Sequence, residues 1–256
     1  MIADEPANLV THPSTDERTY RGTIATKLVG SRPILMYHGV GEMREDPFNL
    51  FISPERFAEQ MQVLRILGLR GVSLGQFADA VTQRRAEGLV GLTFDDGYRG
   101  VLEWAAPILE RHRFTATMFA VSGLLEGENV WDPPPRHKLI SKAELRELAA
   151  RSWEIGAHSR THPRLTELEP DVLHHEVSAS RAELAEVTGV APRSFCYPYG
   201  SVNSEAVAAV RDAGYTYACA VRQVAGLPTV LAMPRIGVTQ RDRGPRFMAK
   251  LLLRGR

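Results

Sequence analysis

The regular alternation of short apolar runs with longer amphipathic stretches is the feature that most constrains how this chain can fold. Runs such as GLVGLTF (88–94) and TATMFAV (115–121) are rich in β-branched and aromatic residues and have the length of buried strands. Between such runs lie amphipathic stretches typical of helices, including a long one from Asp171 to Val187. Strands that alternate with helices predict a parallel sheet, either open or closed into a barrel. About seven such units favour the barrel, with the helices outside it.

Local signals mark where several of these elements begin. Ser53 is predicted to be the N-cap of a helix in which Pro54 takes the first position. Ser141 and Glu144 form the pattern of a capping box, which opens another helix. Further strands are expected over residues 33–40, 72–74, 153–159 and 233–238.

Composition and charge exclude several classes of protein. The chain has 31 basic and 30 acidic residues, so nothing indicates a nucleic acid or an anionic membrane as partner. No apolar run approaches the ~20 residues of a membrane span, and the first thirty residues lack the apolar core of a signal peptide. We therefore expect a cytoplasmic protein, although a trimmed exported protein would look the same, and the oligomeric state stays open. Residues 1–31 lack periodicity and are expected to form a loose arm before one domain over 32–256.

The sequence TFDDG (93–97) places two carboxylates side by side at the end of a predicted strand. Adjacent acids repel each other in a buried site. A metal ion resolves this conflict if one of Asp95 and Asp96 ligates it and the other acts as a base. The alternative is an ordinary capped turn, in which Asp and Gly are common.

A pair of histidines, His158 and His162, follows another predicted strand. Two histidines four residues apart can converge on one ion when the backbone turns helically between them. The alternative is a pair of exposed loop imidazoles. Position favours the metal site, because both motifs lie where strands end. Two histidines and one carboxylate form a facial set with open positions, which suits Zn²⁺ and also Fe²⁺, Co²⁺ or Ni²⁺.

The sequence YPYG (197–200) follows a third strand, SFC. Pro198 has no N–H, and the turn is expected to direct the next N–H, that of Tyr199, outward. Such a group can stabilise an oxyanion. A turn that merely ends the strand is the alternative.

Together and in this order, TFDDG, HSRTHPRL and SFCYPYG resemble carbohydrate esterase family 4, the NodB-like polysaccharide deacetylases. The resemblance extends from about Pro33 to Val238 and makes the region 32–256 the catalytic domain. It implies a distorted (β/α)7 barrel and a metal-dependent hydrolase that removes an N-acetyl group from an N-acetylated amino sugar or glycan. An O-acetyl esterase, a non-sugar amidohydrolase and an inactive glycan-binding module are alternatives for the same set of residues.

The resemblance also assigns roles. Asp95 is the general base, while Asp96, His158 and His162 bind a divalent metal, with Zn²⁺ expected first. The backbone N–H of Tyr199 helps to stabilise the oxyanion.

One departure from the family concerns the general acid, which an amine leaving group requires. Many members supply a late histidine, but this chain has none after His175. His38, at the end of the first predicted strand, is therefore expected to be the acid. This arrangement resembles the poly-N-acetylglucosamine deacetylase branch, in which an early Tyr-His pair supplies the group. A packed core histidine is the alternative, and His112 and His137 are weaker candidates.

A second departure lies at Cys196, where much of the family has an arginine that pairs with the catalytic Asp. Arg235 or Arg193 is expected to take over this pairing with Asp95. Cys196 and Cys219 both lie in apolar runs, which indicates buried free thiols, with a disulfide left open.

The longest connection, residues 122–137, is rich in Gly and Pro and is expected to be a lid or substrate loop. Trp131 within it either stacks on a sugar ring or anchors the loop.

Overall fold

Every strand pairing in the main sheet of the computed structural model is parallel, as the alternation of strands and helices predicted. The structure describes residues 33–42, 45–227 and 229–254, so the arm expected over 1–31 lies outside it. The strands are β1 (Ile34–Tyr37), β2 (Gly39–Val40), β3 (Phe51–Ile52), β4 (Arg70–Val72), β5 (Leu89–Phe94), β6 (Thr117–Ala120), β7 (Glu154–Ala157), β8 (Ser194–Cys196), β9 (Tyr217–Ala220), β10 (Met233–Pro234) and β11 (Ile236–Gly237).

The helices alternate with these strands along the chain. They are α1 (Pro54–Ile66), α2 (Leu74–Thr82), α3 (Ala106–His112), α4 (Lys142–Ala150), α5 (Pro170–Thr188), α6 (Ser204–Asp212) and α7 (Gly244–Arg254). A short π-helix, Val101–Ala105, leads directly into α3. No helix among the described residues is both long enough and apolar enough to cross a membrane.

The main sheet closes almost completely on itself. Its strand order is β10-β9-β8-β7-β6-β5-β1-β11, and β4 pairs with the first half of β5 outside this path. The two end strands, β10 and β11, are separated in the chain only by Arg235. Counted as one interrupted strand, they complete a ring of seven strands, which confirms the expected (β/α)7 barrel. Strands β2 and β3 form a separate pair.

The predicted helix starts are confirmed at the level of single hydrogen bonds. The Ser53 hydroxyl accepts a hydrogen bond from the Arg56 N–H at 3.2 Å, at the start of α1. Ser141 and Glu144 form the expected reciprocal capping box at the start of α4. These signals are reliable because each depends only on residues within one turn of helix.

Three expected strands are interrupted or end early in the structure. The strand expected over 33–40 breaks at His38, because Gly39 and Val40 pair with β3 and not with the barrel. The strand expected over 72–74 ends at Val72, since the Ser73 side chain caps α2 and Leu74 is already helical. The strand expected over 233–238 is interrupted at Arg235.

Buried side chains fill the barrel below the ends of the strands. Ile34, Phe119, Cys196 and Cys219, from four different strands, belong to one buried cluster. Both cysteines are free, as expected, and they are register partners on β8 and β9. These buried apolar side chains lie in the barrel interior, beneath the polar groups of the rim.

Candidate metal centre and active site

All the expected site residues lie at the carboxyl-terminal rim of the barrel. This rim is where the ends of parallel strands bring distant parts of the chain together. A cavity of about 140 Å³ opens there. Its walls include every residue to which the sequence assigned a role, namely His38, Asp95, Asp96, His158, His162, Tyr199 and Arg235.

Asp96, His158 and His162 converge on one point. The Nε2 atoms of both histidines lie 3.3 Å from Oδ1 of Asp96. All three residues are buried. One potential ligand atom from each lies within 4.8 Å of the others, so a single ion can contact all three.

The hydrogen bonding of His158 indicates that the set suits a cation. Its Nδ1 lies 2.8 Å from the carbonyl oxygen of Cys196, which can only accept a hydrogen bond, so Nδ1 carries the proton. In the neutral form of the imidazole, Nε2 then presents a lone pair to the Asp96 carboxylate, and two acceptors at this distance repel each other. A divalent ion between them removes the repulsion, and a histidine fixed by a carbonyl is typical of metal ligands. Burial lowers the pKa of His162, which favours the neutral form that binds metals.

Left-handed backbone turns occur at four residues in or next to the site. Asp96, Ser159, His162 and Tyr199 all have positive φ values, of 72°, 60°, 67° and 57°. This left-handed conformation costs a residue with a side chain roughly 1–2 kcal/mol. Residues in this conformation cluster at functional sites, where the surrounding structure holds them.

Asp95 is paired with Arg235 and not with the ion-binding set. Arg235 donates from Nη1 to Oδ1 at 2.6 Å and from Nη2 to Oδ2 at 2.7 Å, and Nη1 also donates to Thr93 Oγ1 at 3.0 Å. Burial alone would raise the pKa of Asp95, but the charge and hydrogen bonds of Arg235 outweigh it and hold that pKa below its usual value. Asp95 is therefore ionised at neutral pH.

His38 lines the same cavity as Asp95. Its Nε2 is 4.0 Å from Asp95 Oδ2, and its side chain is 20% exposed. In the described part of the chain, no other histidine besides the two expected metal ligands lines this cavity. His112 and His137 lie elsewhere, and His174 and His175 are exposed on α5.

The family profile described as "Polysaccharide deacetylase" matches residues 82–218, more than half of the chain. This chain belongs to the polysaccharide deacetylase family. The match includes the TFDDG, HSRTHPRL and SFCYPYG motifs, so the resemblance seen in the sequence is confirmed.

Individual relatives agree with this assignment. This chain is 26% identical over 194 residues to YxkH of Bacillus subtilis, which is itself described as a polysaccharide deacetylase. The alignment covers 75% of this chain and 65% of YxkH. The chain is also 24% identical over 192 residues to poly-β-1,6-N-acetyl-D-glucosamine N-deacetylase of Staphylococcus aureus, and the alignment covers 70% of this chain and 64% of that enzyme. This chain thus spans slightly less than two thirds of the length of these relatives.

Solved structures show the same fold. Streptococcus pyogenes deacetylase PplD, solved in complex with acetate, superimposes with a TM-score of 0.75 at 23% identity, over 86% of this chain and 98% of PplD. IcaB from Ammonifex degensii gives a TM-score of 0.72 at 23% identity, over 87% of this chain and 97% of IcaB. At this level of identity the likeness establishes the barrel and no further property.

The arginine that pairs with the expected base comes from the break between β10 and β11. Of the two arginines left open by the sequence, Arg235 reaches Asp95, whereas Arg193 pairs with Asp79 at 3.1 Å in an exposed position. Cys196 leaves room for this approach, and its Sγ lies 3.0 Å from Nη2 of Arg235.

Asp95, His158 and Cys196 form a second group of potential metal ligands. Two observations weigh against this group. Both Asp95 oxygens accept hydrogen bonds from Arg235. Burial raises the pKa of the Cys196 thiol well above its usual value, so the thiolate that a metal needs is disfavoured.

The long loop contributes two side chains to the cavity. Trp131 stacks on His162, with 4.2 Å between ring centroids and 23° between planes, and Tyr199 contacts His162 edge-on at 4.6 Å. Trp131 therefore anchors the loop to the site, and its contact with a sugar stays a prediction. Asp132 also lines the cavity and was not expected from the sequence, since an acid in a Pro-rich loop normally indicates an exposed turn.

Proposed function

We propose that this protein is a metal-dependent hydrolase that removes the N-acetyl group from an N-acetylated amino sugar or glycan. One observation carries the proposal. The Asp96–His158–His162 set shares a cavity with an ionised Asp95 that is not itself needed as a ligand. Membership of the polysaccharide deacetylase family and the named activity of the S. aureus relative support the choice of substrate class.

We assign the metal ligands to Asp96, His158 and His162, and the ion to Zn²⁺ in the first place. Two imidazoles and one carboxylate suit Zn²⁺, and the same set also accepts Co²⁺, Ni²⁺ or Fe²⁺. When bound, such an ion acts as a Lewis acid and lowers the pKa of water.

Asp95 is proposed to accept the proton of the attacking water. A carboxylate oxygen has two lone pairs. Oδ2 of Asp95 accepts from both Arg235 and Cys196, whereas Oδ1, among the described residues, accepts only from Arg235 and can take a further hydrogen bond. Arg235 keeps the carboxylate ionised and fixes its plane. The pair therefore supplies a base that is ready before substrate arrives.

Tyr199 and His38 are proposed to act on the acetamide itself. The Tyr199 N–H would stabilise negative charge on the carbonyl oxygen as water adds to the carbon. His38 would donate a proton to the nitrogen as the C–N bond breaks, so that acetate and a free amine leave. The position of His38 beside Asp95 in the wall of the cavity supports this division of roles.

Acetate release from oligomers of N-acetylglucosamine tests the proposal. We expect release by the purified protein, loss after treatment with a chelator, and recovery when Zn²⁺ is added. The same assay with O-acetylated xylan measures the esterase alternative. Continued acetate release from protein freed of metal would contradict the proposal.

The remaining expectations from the sequence are retained as proposals. They are a cytoplasmic location and the absence of a nucleic-acid partner. Cell fractionation of the native host tests the first, and a gel-shift assay tests the second.

A further inference from the structure

A buried carboxylate outside the proposed catalytic set binds the backbone of the metal-binding loop, defined here as residues 158–162. Glu176 lies in α5 and is 6% exposed. Its Oε2 accepts hydrogen bonds from the N–H groups of Arg160 and Thr161, at 2.9 and 2.8 Å. Its Oε1 accepts one from the Thr161 hydroxyl at 2.6 Å. One side chain thus holds two successive peptide groups between the two proposed histidine ligands.

The metal-binding loop needs such support because its backbone is strained. Ser159 and His162 both have left-handed φ values, and the Ser159 hydroxyl accepts the His162 N–H at 2.9 Å. Between them, Glu176 takes the two N–H groups in the middle of the loop. The orientation of these peptide groups determines where His162 lies relative to His158, so Glu176 acts on the spacing of the two imidazoles.

A buried carboxylate is costly unless donors satisfy it. Glu176 meets this requirement with two backbone N–H groups and one hydroxyl, all from the metal-binding loop. Its hydrogen bonds are therefore directed at the loop and at no other described element.

Glu183, on the same helix, provides an internal comparison. Its carboxylate accepts hydrogen bonds from the Arg160 side chain at 2.8 Å and from the Ser122 hydroxyl at 2.6 Å. It is one-third exposed, and its hydrogen bonds among the described residues are to these two side chains and not to the loop backbone. Glu176 thus contacts the backbone of the loop, whereas Glu183 contacts only a side chain of the loop. Variants of the two acids can therefore distinguish the two kinds of contact.

We infer that Glu176 is a positioning residue that sets the metal affinity of this centre without touching the ion or the substrate. The inference rests on the proposed metal-dependent function, because it assumes that His158 and His162 bind an ion. Metal ligands commonly depend on such supporting contacts, whose loss weakens metal binding about 10–100-fold.

Titration of metal-free protein with Zn²⁺, in competition with a chromophoric chelator, tests this inference without any assay of activity. Glu176→Ala should raise the Kd for Zn²⁺ by about 10–100-fold. Glu176→Gln should stay within about threefold, since one oxygen can still accept both N–H groups and the new amide can donate to Thr161. Glu183→Ala is the matched control and should bind Zn²⁺ like the wild type.

Hydrogen exchange of the Arg160 and Thr161 amides in the metal-free variants gives a second readout. Both amides should exchange faster in Glu176→Ala than in Glu183→Ala. If the Ala variant does not fold, Glu176→Asp replaces it, because this change keeps the charge but shortens the reach to the loop.

The outcomes separate the two proposals. If wild-type protein binds Zn²⁺ and Glu176→Ala or Glu176→Asp binds it as tightly as Glu183→Ala does, the role of Glu176 is wrong while the metal centre stands. If wild-type protein does not bind Zn²⁺ or another divalent ion, both are wrong.

Discussion

The guanidinium of Arg235 and the carboxylate of Asp95 form a bidentate ion pair at the rim of the barrel, with hydrogen bonds of 2.6 and 2.7 Å. The side chains are 1% and 4% exposed. Because neither charge reaches bulk water, each one depends on the other for its stability in the fold.

Arg235→Met should therefore reduce the free energy of unfolding by about 3–5 kcal/mol, because it leaves a buried carboxylate without its partner. Arg193→Met is the control, since the Arg193–Asp79 pair is exposed and such pairs contribute at most about 1 kcal/mol. Urea denaturation of the metal-free proteins measures both changes. Equal losses in the two variants would contradict the structural difference between the pairs.

Asp95→Asn should lower kcat by about 10²–10⁴-fold, the usual contribution of a general base. It should leave the Kd for Zn²⁺ unchanged, because Asp95 is outside the proposed ligand set. Acetate release and bound metal are to be measured on the same sample, with Asp96→Asn as the variant expected to lose the ion. If Asp95→Asn lost its metal as well, the separation of base and ligand would be wrong.

His38→Ala should reduce deacetylation of an N-acetylated substrate by about 10²–10⁴-fold, because an amine leaves poorly without a proton. An acetyl ester should be affected less, since an alkoxide is a better leaving group. Initial rates on an amide and an ester with the same variant make the comparison. A loss below about tenfold on the amide would remove His38 from the role of acid.

Asp242 should contribute to stability in a pH-dependent manner. Its buried carboxylate accepts hydrogen bonds from the Thr239 N–H and from Lys250 and Arg246 of α7. Burial alone would raise the pKa of Asp242, but the hydrogen bonds from Lys250 and Thr239 lower it below its ordinary value. A lowered pKa in the folded state means that the stabilisation is complete above the unfolded value of about 3.9 and is lost as the pH falls through the folded value.

Asp242→Asn tests this linkage. The difference in the free energy of unfolding between wild type and variant should be constant above about pH 5 and should shrink below about pH 4. Urea denaturation at a series of pH values that extends above and below this range measures it. A difference that grew as the pH fell would have the wrong sign.

Local features of the sequence predicted most of the fold. The runs at 88–94 and 115–121 became β5 and β6, and the caps at Ser53 and Ser141 formed as expected. Each depends on neighbours in sequence, or on burial that an apolar pattern already encodes.

The breaks at His38 and Arg235 could not be predicted in this way. Whether a residue continues a strand depends on which strand lies beside it, and the partners of β2 and β11 lie elsewhere in the sequence. Both breaks occur where a polar side chain enters the cavity. An apolar pattern on either side therefore indicates a continuous strand even though the pairing changes.

Glu176 and Asp132 were missed for a related reason. A carboxylate on an amphipathic helix, or in a loop rich in Pro, normally indicates a solvated surface. Only the packing of α5 against the metal-binding loop buries Glu176, and only the return of the long loop over the rim brings Asp132 to the cavity.

The closure of the ring between β10 and β11 also affects how the protein matures. Asp95 and Arg235 are 140 residues apart, so the ribosome delivers the proposed base long before its counter-ion. Until the strand that carries Arg235 enters the sheet, the barrel is open and the carboxylate lacks the charge that permits its burial. Completion of the fold and preparation of the chemistry are thus one event, and a nascent chain that ends before Arg235 has neither.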